Sequence, residues 1–445
     1  MTGSDENIYP PMSTELEQLQ IPVFKGYRPE NFASKPDIVV VGNAISRGNP
    51  ELEYMLNEGL YYTSMPAVLE EQFVREKHSV VIAGTHGKTT TTSLAAWAME
   101  KAGANPSFLI GGVAENFNSS FRVSDGPFFT IEGDEYDTAY FDKGPKFMHY
   151  RPRTVILNNV EFDHADIYQD MAAVKLAFGR LINLVPENGC LVAGWDSPVV
   201  RELADRAFCT VETFGTGQGA RWLATAIDFS GEMTQFKVSV GGKEFGEYRT
   251  PLAGIFNVRN CLGVIASCER LGLASRLVAE ALAEFKSVKR RMEIKGVSDG
   301  VTVIDDFAHH PTAVRETLQA ARQKYPRRRL VAIFEPRSYT AQRRDFQDEF
   351  VESLSIADLI TIAGLFHPER YTGGTGASPE EMVVSLEKHG HEAFYLPTAG
   401  EIVTNLTPRL RPGDVVVVMS NGSFGGIHEK LLAALAARSA VANRS

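Results

Sequence analysis

Residues 80–92, Val-Val-Ile-Ala-Gly-Thr-His-Gly-Lys-Thr-Thr-Thr-Thr, set a lysine and a threonine directly behind a glycine-bracketed turn. Such a pattern is suited to holding phosphate. Glycine lets the backbone wrap closely around an anion, and free N–H groups at a helix start attract it. Lys88 would neutralise it and the Thr89 hydroxyl could ligate Mg²⁺. The longer phosphate loop would carry its first glycine where Ile82 stands, so the form present is the shorter Gly84-Thr85-His86-Gly87-Lys88-Thr89. A Gly-Thr turn with an exposed lysine is the alternative. The strand before the loop and the helix after it argue instead for a bound nucleoside triphosphate.

Mg²⁺ takes oxygen ligands and needs a carboxylate beside the phosphates. The apolar run Phe128–Glu132 delivers Glu132, and Thr154–Asn158 runs into Asn159-Val160-Glu161-Phe162-Asp163-His164-Ala165-Asp166. Ligands gather at the carboxyl ends of strands in an open parallel sheet, so Glu132 and His164 are expected beside the phosphate loop in a two-site magnesium centre. Asp134, Glu135 and Asp137 read as a solvated acidic loop.

Positioning these residues requires βα units, and the chain is full of them. Ile38–Val41, Ser79–Ala83, Phe128–Glu132 and Thr154–Asn158 are short apolar runs of the kind buried on both faces of a parallel sheet. Between Cys190 and Val240 the runs alternate more and are punctuated by glycine, predicting a small antiparallel or mixed subsheet. Helical patterning covers Pro50–Glu58, Asn257–Leu271 and Arg276–Phe285. A second βα series follows, with strands Val301–Ile304, Leu330–Phe334, Asp358–Ile362, Ala393–Leu396 and Val415–Met419 and a closing helix Ile427–Ala437. The fold class is α/β, with domains expected at 1–78, 79–293 and 294–445.

Composition bounds the rest. A chain of 445 residues, 44% hydrophobic and 22% charged, is globular and long enough for about three cores. Its net charge of −10 disfavours non-specific nucleic-acid binding, so any anionic ligand must be met by a local positive cluster. No apolar run is long enough to span a bilayer, which predicts no membrane insertion. Cys190, Cys209, Cys261 and Cys268 form no metal spacing and read as reduced, mostly buried thiols. With a polar, acidic start they predict a cytoplasmic protein.

Six ordered motifs then become specific. Gly84–Ser93, Glu132–Asp137, Asn159–His164, Gly254–Asn260, Arg290-Arg291-Met292-Glu293 and Asp305–Thr312 resemble the Mur ligase family in order and spacing. Members join an amino acid or peptide to a nucleotide-linked or folate carboxylate, driven by ATP. The resemblance implies three domains: a Rossmann-like N-terminal domain, a phosphate-loop ATP-binding central domain and a Rossmann-like C-terminal domain.

By carry-over, Gly84, Thr85, His86, Gly87, Lys88, Thr89 and Thr90 hold ATP, with Lys88, Glu132 and His164 catalytic and Thr89, Glu132 and His164 on Mg²⁺. Asn257, Arg291 and Asp306 complete the ATP site. The His309-His310 pair either closes over the nucleotide or caps the helix after Pro311. Some members carry a carbamylated lysine; Lys175 is the nearest candidate here, and the modification is not expected.

Within the family, the double histidine and double arginine resemble the branch that acts on UDP-N-acetylmuramate. The opening Gly3–Ser13, Phe334–Ser338 and Ser420–His428 resemble members that take the tripeptide L-alanyl-γ-D-glutamyl-meso-diaminopimelate in peptidoglycan recycling. Arg337 and Ser338 at a strand end, and Asn421 at the last strand's turn, are the expected peptide contacts. Asn43, Ser46, Gly112 and Asn116 are the expected contacts on the UDP-sugar side. The resemblance leaves monomer and homodimer open.

One departure stands out. Thr2-Gly3-Ser4-Asp5 matches the end of the family's second strand, so a glycine-rich unit of roughly 25–30 residues is expected to be missing from an incomplete first domain. Two rivals remain: a ligase that uses free L-alanine, and a phosphate-loop regulatory ATPase that needs no acceptor. The second explains Lys88 and Glu132 but not the ordered motifs after Arg290.

Overall fold

The strands His78–Ala83 and Pro152–Leu157 are buried nearly throughout, and they pair in parallel at the centre of a ten-stranded sheet. This computed structural model describes residues 1–8, 12–163, 167–371 and 374–442. The sheet order is Lys243–Thr250, Thr234–Val240, Trp222–Asp228, Thr210–Gly215, Cys190–Gly194, Pro152–Leu157, His78–Ala83, Phe128–Gly133, Ser107–Ala114 and Ser119–Arg122. Its interior is parallel and both margins are antiparallel. The glycine-punctuated strands form one margin of this same sheet and are mixed, as expected: Thr210–Gly215 and Trp222–Asp228 pair in parallel, and Thr234–Val240 is antiparallel to both neighbours. Ser107–Ala114, absent from the sequence reading, is a strand despite Gly111 and Gly112.

One face of the sheet is covered by the helices Lys88–Lys101, Ile255–Arg270 and Ser275–Ala283. Leu94, Ala98 and Met99 of the first pack with Val258, Leu262 and Ile265 of the second over Val80, Ile82 and Ile156. Burying each such aliphatic side chain contributes about 1.5–3 kcal/mol, which holds the helix start at the sheet's carboxyl edge.

A second sheet, of six strands, follows: Glu293–Ser298, Val301–Asp306, Val415–Met419, Leu330–Phe334, Leu359–Ile362 and Glu392–Tyr395. Only its first pair is antiparallel. Apolar layers cover both faces, one under Pro311–Lys324, Gln347–Leu354 and Pro379–Lys388, the other under Ala399–Leu406 and Ile427–Ala442. Strand Glu293–Ser298 has charged and glycine residues that break the apolar pattern, so the sequence does not announce it.

The chain divides into two compact units, Met1–Lys77 with Asp134–Arg151, and His78–Gly133 with Pro152–Ser445. The first unit contains two short parallel pairs, Gly3–Asp5 with Val23–Lys25 and Val39–Val41 with Tyr62–Ser64. Its core of Val41, Leu52 and Met55 is small and is joined by Tyr140 from the later segment. That segment corrects one expectation. Asp134 pairs with Lys146 at 2.6 Å, Asp137 pairs with Lys143 at 2.9 Å, and Glu135 is buried, so these acids are not a freely solvated loop. No helix of the described residues is long and apolar enough to cross a membrane.

Candidate active site

The turn Gly84–Gly87 leaves the strand His78–Ala83 and enters the helix Lys88–Lys101 through backbone shapes that exclude a side chain. Gly87 is the helix N-cap with φ +83°, and a Cβ there would lie 2.7 Å from Asn260 Oδ1. Gly84 has φ +130°, and a Cβ would lie 2.7 Å from the Asn159 carbonyl oxygen. Glycine is required at both positions by conformation and by close approach. The turn is tied down by His86 N–H donating to Asn159 Oδ1 at 2.8 Å and by Thr85 Oγ1 accepting from Glu161 N–H at 2.8 Å. Lys88 folds back over this turn, its Nζ donating to the Gly84 carbonyl at 2.7 Å.

Glu132 reaches the same corner from the neighbouring strand. Its Oε2 accepts from Thr89 Oγ1 at 3.1 Å and its Oε1 from Gly111 N–H at 2.6 Å. Loss of hydration raises its pKa; the Gly111 N–H, Lys88, Arg291 and the Thr89 hydroxyl pull the other way. Arg291 comes from the segment between the two sheets, and its Nη2 lies 3.4 Å from Thr89 Oγ1. A hydroxyl, a carboxylate, a lysine and an arginine thus meet at the start of a helix. The oxygen donors of Thr89 and Glu132 suit Mg²⁺, a hard cation. His164, the third expected ligand, lies outside the described residues.

A buried amide network supports the loop from beneath. Asn158 Nδ2 donates to Thr91 Oγ1 at 3.0 Å, and Asn260 Nδ2 donates to Asn257 Oδ1 at 3.1 Å. Asn257 in turn donates to the Ala253 carbonyl at 2.7 Å. A cavity of about 370 Å³ opens beside this network, lined by His86, Asn159, Asp196, Phe256, Arg259 and Glu316 among others.

The second sheet contributes from its own carboxyl edge. Asp306 is buried and fully engaged: Oδ2 accepts from Met292 N–H at 2.8 Å, and Oδ1 from Ala308 N–H at 2.9 Å and Thr317 Oγ1 at 3.1 Å. Burial raises its pKa, opposed by Arg291 and those bonds. Arg290 donates through Nη2 to the carbonyls of Ser420 at 2.6 Å and Gly422 at 2.7 Å, and pairs with Asp305 at 3.3 Å.

Sequence profiles described as Mur ligase middle domain, Mur ligase glutamate ligase domain and Mur ligase family catalytic domain match residues 82–268, 290–422 and 1–77. The chain belongs to the Mur ligase family. A UDP-N-acetylmuramate–L-alanyl-γ-D-glutamyl-meso-2,6-diaminoheptandioate ligase of Escherichia coli is 40% identical over 444 residues, covering 99% of this chain and 94% of the relative. A UDP-N-acetylmuramate–L-alanine ligase of Salinibacter ruber is 32% identical, covering 95% and 87%. The crystal structure of a murein peptide ligase from Psychrobacter arcticus superposes with a TM-score of 0.72 at 36% identity, covering 98% of this chain and 93% of that one. The three-domain, ATP-dependent ligase architecture is that of the family.

In this Mur ligase the His309-His310 pair is tied to the protein. His310 is the N-cap of helix Pro311–Lys324, its Nδ1 accepting from Thr312 N–H at 3.3 Å. Nδ1 as acceptor leaves the proton on Nε2, which faces the Phe162 carbonyl at 3.3 Å. Burial, with His86 alongside, lowers its pKa to about 4, so the ring is neutral. His309 Nδ1 lies 2.9 Å from the Phe307 carbonyl. Glu161, to which the sequence reading gave no role, links both domains. Its Oε2 lies 3.3 Å from His86 Nε2 and accepts from Thr312 Oγ1 at 2.7 Å. Burial opposes its ionisation, but these bonds hold its pKa at about 2.

The expected substrate contacts fall in both units. Gly112 sits next to Thr89 on strand Ser107–Ala114, while Asn116 is spent on Glu284 and Lys286, donating to the former's carbonyl at 3.1 Å and accepting the latter's N–H at 2.8 Å. Arg337 stacks 3.5 Å over the Phe366 ring and lies against Gly422, 4.0 Å from Glu335. Ser338 Oγ donates to the His309 carbonyl at 3.1 Å. Asn421 Oδ1 is buried and has no hydrogen-bond partner among the described residues. Asn43 and Ser46 lie in the other unit, on the turn after Val39–Val41. Lys175 forms a 2.5 Å ion pair with Glu202. Arg343 and Arg344 engage Asp345 and Glu381 at the surface.

Proposed function

We propose that this chain joins the tripeptide L-alanyl-γ-D-glutamyl-meso-diaminopimelate to UDP-N-acetylmuramate at the expense of ATP and Mg²⁺, in peptidoglycan recycling. The observation that carries the ligase chemistry is the meeting of Lys88, Thr89, Glu132 and Arg291 at one helix start. The preference for tripeptide over L-alanine is supported by the higher identity to the tripeptide-using relative, 40% against 32%.

In this reading the lactoyl carboxylate attacks the γ-phosphorus and ADP departs, leaving an acyl phosphate; the peptide amine then attacks its carbonyl carbon, loses a proton and expels phosphate. Such chemistry needs positioning and charge neutralisation more than covalent help. The Gly84–Gly87 backbone and Lys88 would grip the phosphates, while Thr89 and Glu132, with His164, would hold Mg²⁺, which when bound would supply neutralising charge. Arg291 brings a fixed positive charge from the C-terminal side. Asn257 and Asp306 act here by shaping the nucleotide site, since their polar atoms are already bonded to protein. Arg337, Ser338 and Asn421 are assigned to the peptide and Asn43, Ser46 and Gly112 to the UDP-sugar, while Asn116, its amide already bonded to Glu284 and Lys286, acts by shaping the backbone around it. The domains are taken as 1–78, 79–293 and 294–445.

Phosphate release measured with UDP-N-acetylmuramate plus either tripeptide or L-alanine tests the assignment. Turnover with tripeptide and not with alanine is expected. Turnover on alanine alone defeats it, and ATP hydrolysis without any acceptor would favour the regulatory ATPase.

A further inference from the structure

A second group of ligand-type side chains converges away from the Thr89–Glu132 corner. His86 of the phosphate loop, Glu161 of the loop after strand Pro152–Leu157, and His310 of the C-terminal domain place one donor atom each within 4.8 Å of one another. Among the described residues it is the one place where three such groups do so. We infer that His86 Nε2, Glu161 Oε2 and His310 Nδ1 form a binding site for a zinc-class divalent cation, one that clasps the phosphate loop to the C-terminal domain.

The donor set argues for the class of ion. Two imidazoles and a carboxylate suit Zn²⁺ and its neighbours, whereas Mg²⁺ belongs with oxygen donors such as those of Thr89 and Glu132. Three protein ligands with the remaining position left to water is a recurring zinc arrangement. Ligand atoms on a tetrahedron of about 2.05 Å radius stand about 3.3 Å apart. His86 Nε2 and Glu161 Oε2 are already 3.3 Å apart, and His310 Nδ1 is 3.8 Å from the same oxygen. The longest edge has to contract by no more than about 1.5 Å, within reach of small side-chain rotations.

The surroundings orient the ligands as a metal would require. His310 presents Nδ1 to the cluster while its opposite nitrogen faces the Phe162 carbonyl, the outer bond that fixes a ligating imidazole's tautomer. Glu161 is held at its carboxylate by Thr312 and at its backbone by Thr85. The cluster is not sealed, since the Glu161 side chain is 37% exposed and it lines the 370 Å³ cavity with His86. A cation there would replace the long Thr312 N–H bond to Nδ1. It would also bind the phosphate loop to the helix Pro311–Lys324, restraining the two domains in the arrangement seen.

The inference does not rest on the ligase assignment, and its test reads the metal directly. Full-length protein, stripped with chelator and kept in excess Mg²⁺, is titrated with Co²⁺ and then Zn²⁺. A visible ligand-field band saturating at one equivalent and displaced by Zn²⁺ is expected. Glu161→Gln and His310→Asn should each weaken it by about tenfold or more. Asparagine keeps the N-cap acceptor at 310, so that variant retains a helix start. Glu132→Gln should leave the band unchanged. Independently of any variant, Zn²⁺ should suppress carbethoxylation of His86 in the wild-type chain. The absence of saturable binding, a band that survives both substitutions, a band lost with Glu132→Gln, or no protection of His86 would each overturn the site.

Discussion

Thr89 Oγ1 donates to Glu132 Oε2 across 3.1 Å, joining the first turn of the helix after the phosphate loop to the end of the adjacent strand. The bond brings two oxygen donors together, yet it places an ionisable group where burial raises its pKa. A carboxyl group with a raised folded-state pKa takes up a proton more readily when folded than when unfolded. Its ionised form therefore costs stability above the unfolded pKa.

The first prediction follows from that cost. Glu132→Gln retains an acceptor for Gly111 N–H and removes the charge. It should abolish ligase turnover while holding or raising the thermal midpoint. Thermal denaturation beside a phosphate-release assay checks both halves. A variant that loses activity by unfolding would show that Glu132 serves the fold and not the site.

Gly87 gives a second prediction. At φ +83°, with Asn260 Oδ1 and Asn158 Nδ2 within 3 Å of a built Cβ, Gly87→Ala must twist the loop or push the amide network aside. Backbone strain of this kind costs about 1–3 kcal/mol. Nucleotide affinity should fall with it, because the loop N–H groups lose their alignment. Gly241→Ala, also at positive φ but with open space around it, provides the contrast. It should lose comparable stability and leave ATP binding intact by calorimetry.

Much of this was legible in the sequence. The apolar runs at Val80–Ala83 and Val415–Met419 announce parallel strands because burial on both faces demands continuous hydrophobicity. The glycines and Lys88 announce phosphate because few other uses require that combination. Gly111 and Gly112 hid a strand, since a glycine pair there reads as a loop; in the fold it leaves Gly111 N–H to meet Glu132. Glu161 was invisible as a contact because its partners, His86 and Thr312, are 75 and 151 residues away. Periodicity cannot report a contact that only tertiary packing creates.

His78 supplies a pH prediction away from the site. It begins the central strand with Nε2 2.9 Å from Thr154 Oγ1, and burial, aided by Arg153, lowers its pKa. The folded chain keeps the ring neutral to lower pH than the unfolded chain, which protonates it near pH 6.5. Its contribution is thus complete above about pH 6.5 and is lost progressively as the pH falls below that value. His78→Gln should flatten the dependence of thermal midpoint on pH between about 7 and 5. An unchanged slope would assign the acid sensitivity elsewhere.

Arg290 and Arg291 are neighbours with different work, and substitution should separate them. Arg290 spans Asp305 and the carbonyls of Ser420 and Gly422, tying the approach to the C-terminal sheet onto its last strand's turn. Lysine cannot reproduce that fork, so Arg290→Lys should lose about 1.5–3 kcal/mol in denaturant unfolding. Among the described residues Arg291 makes one long bond, to Thr89, and packs over Phe307, so Arg291→Lys should change stability little. Its effect should fall on kcat/KM instead, because the positive charge it directs to the Thr89–Glu132 corner would be less well placed. If Arg291→Lys unfolded the chain as readily as Arg290→Lys, the pair would be a structural hinge and neither arginine would belong to the reacting site.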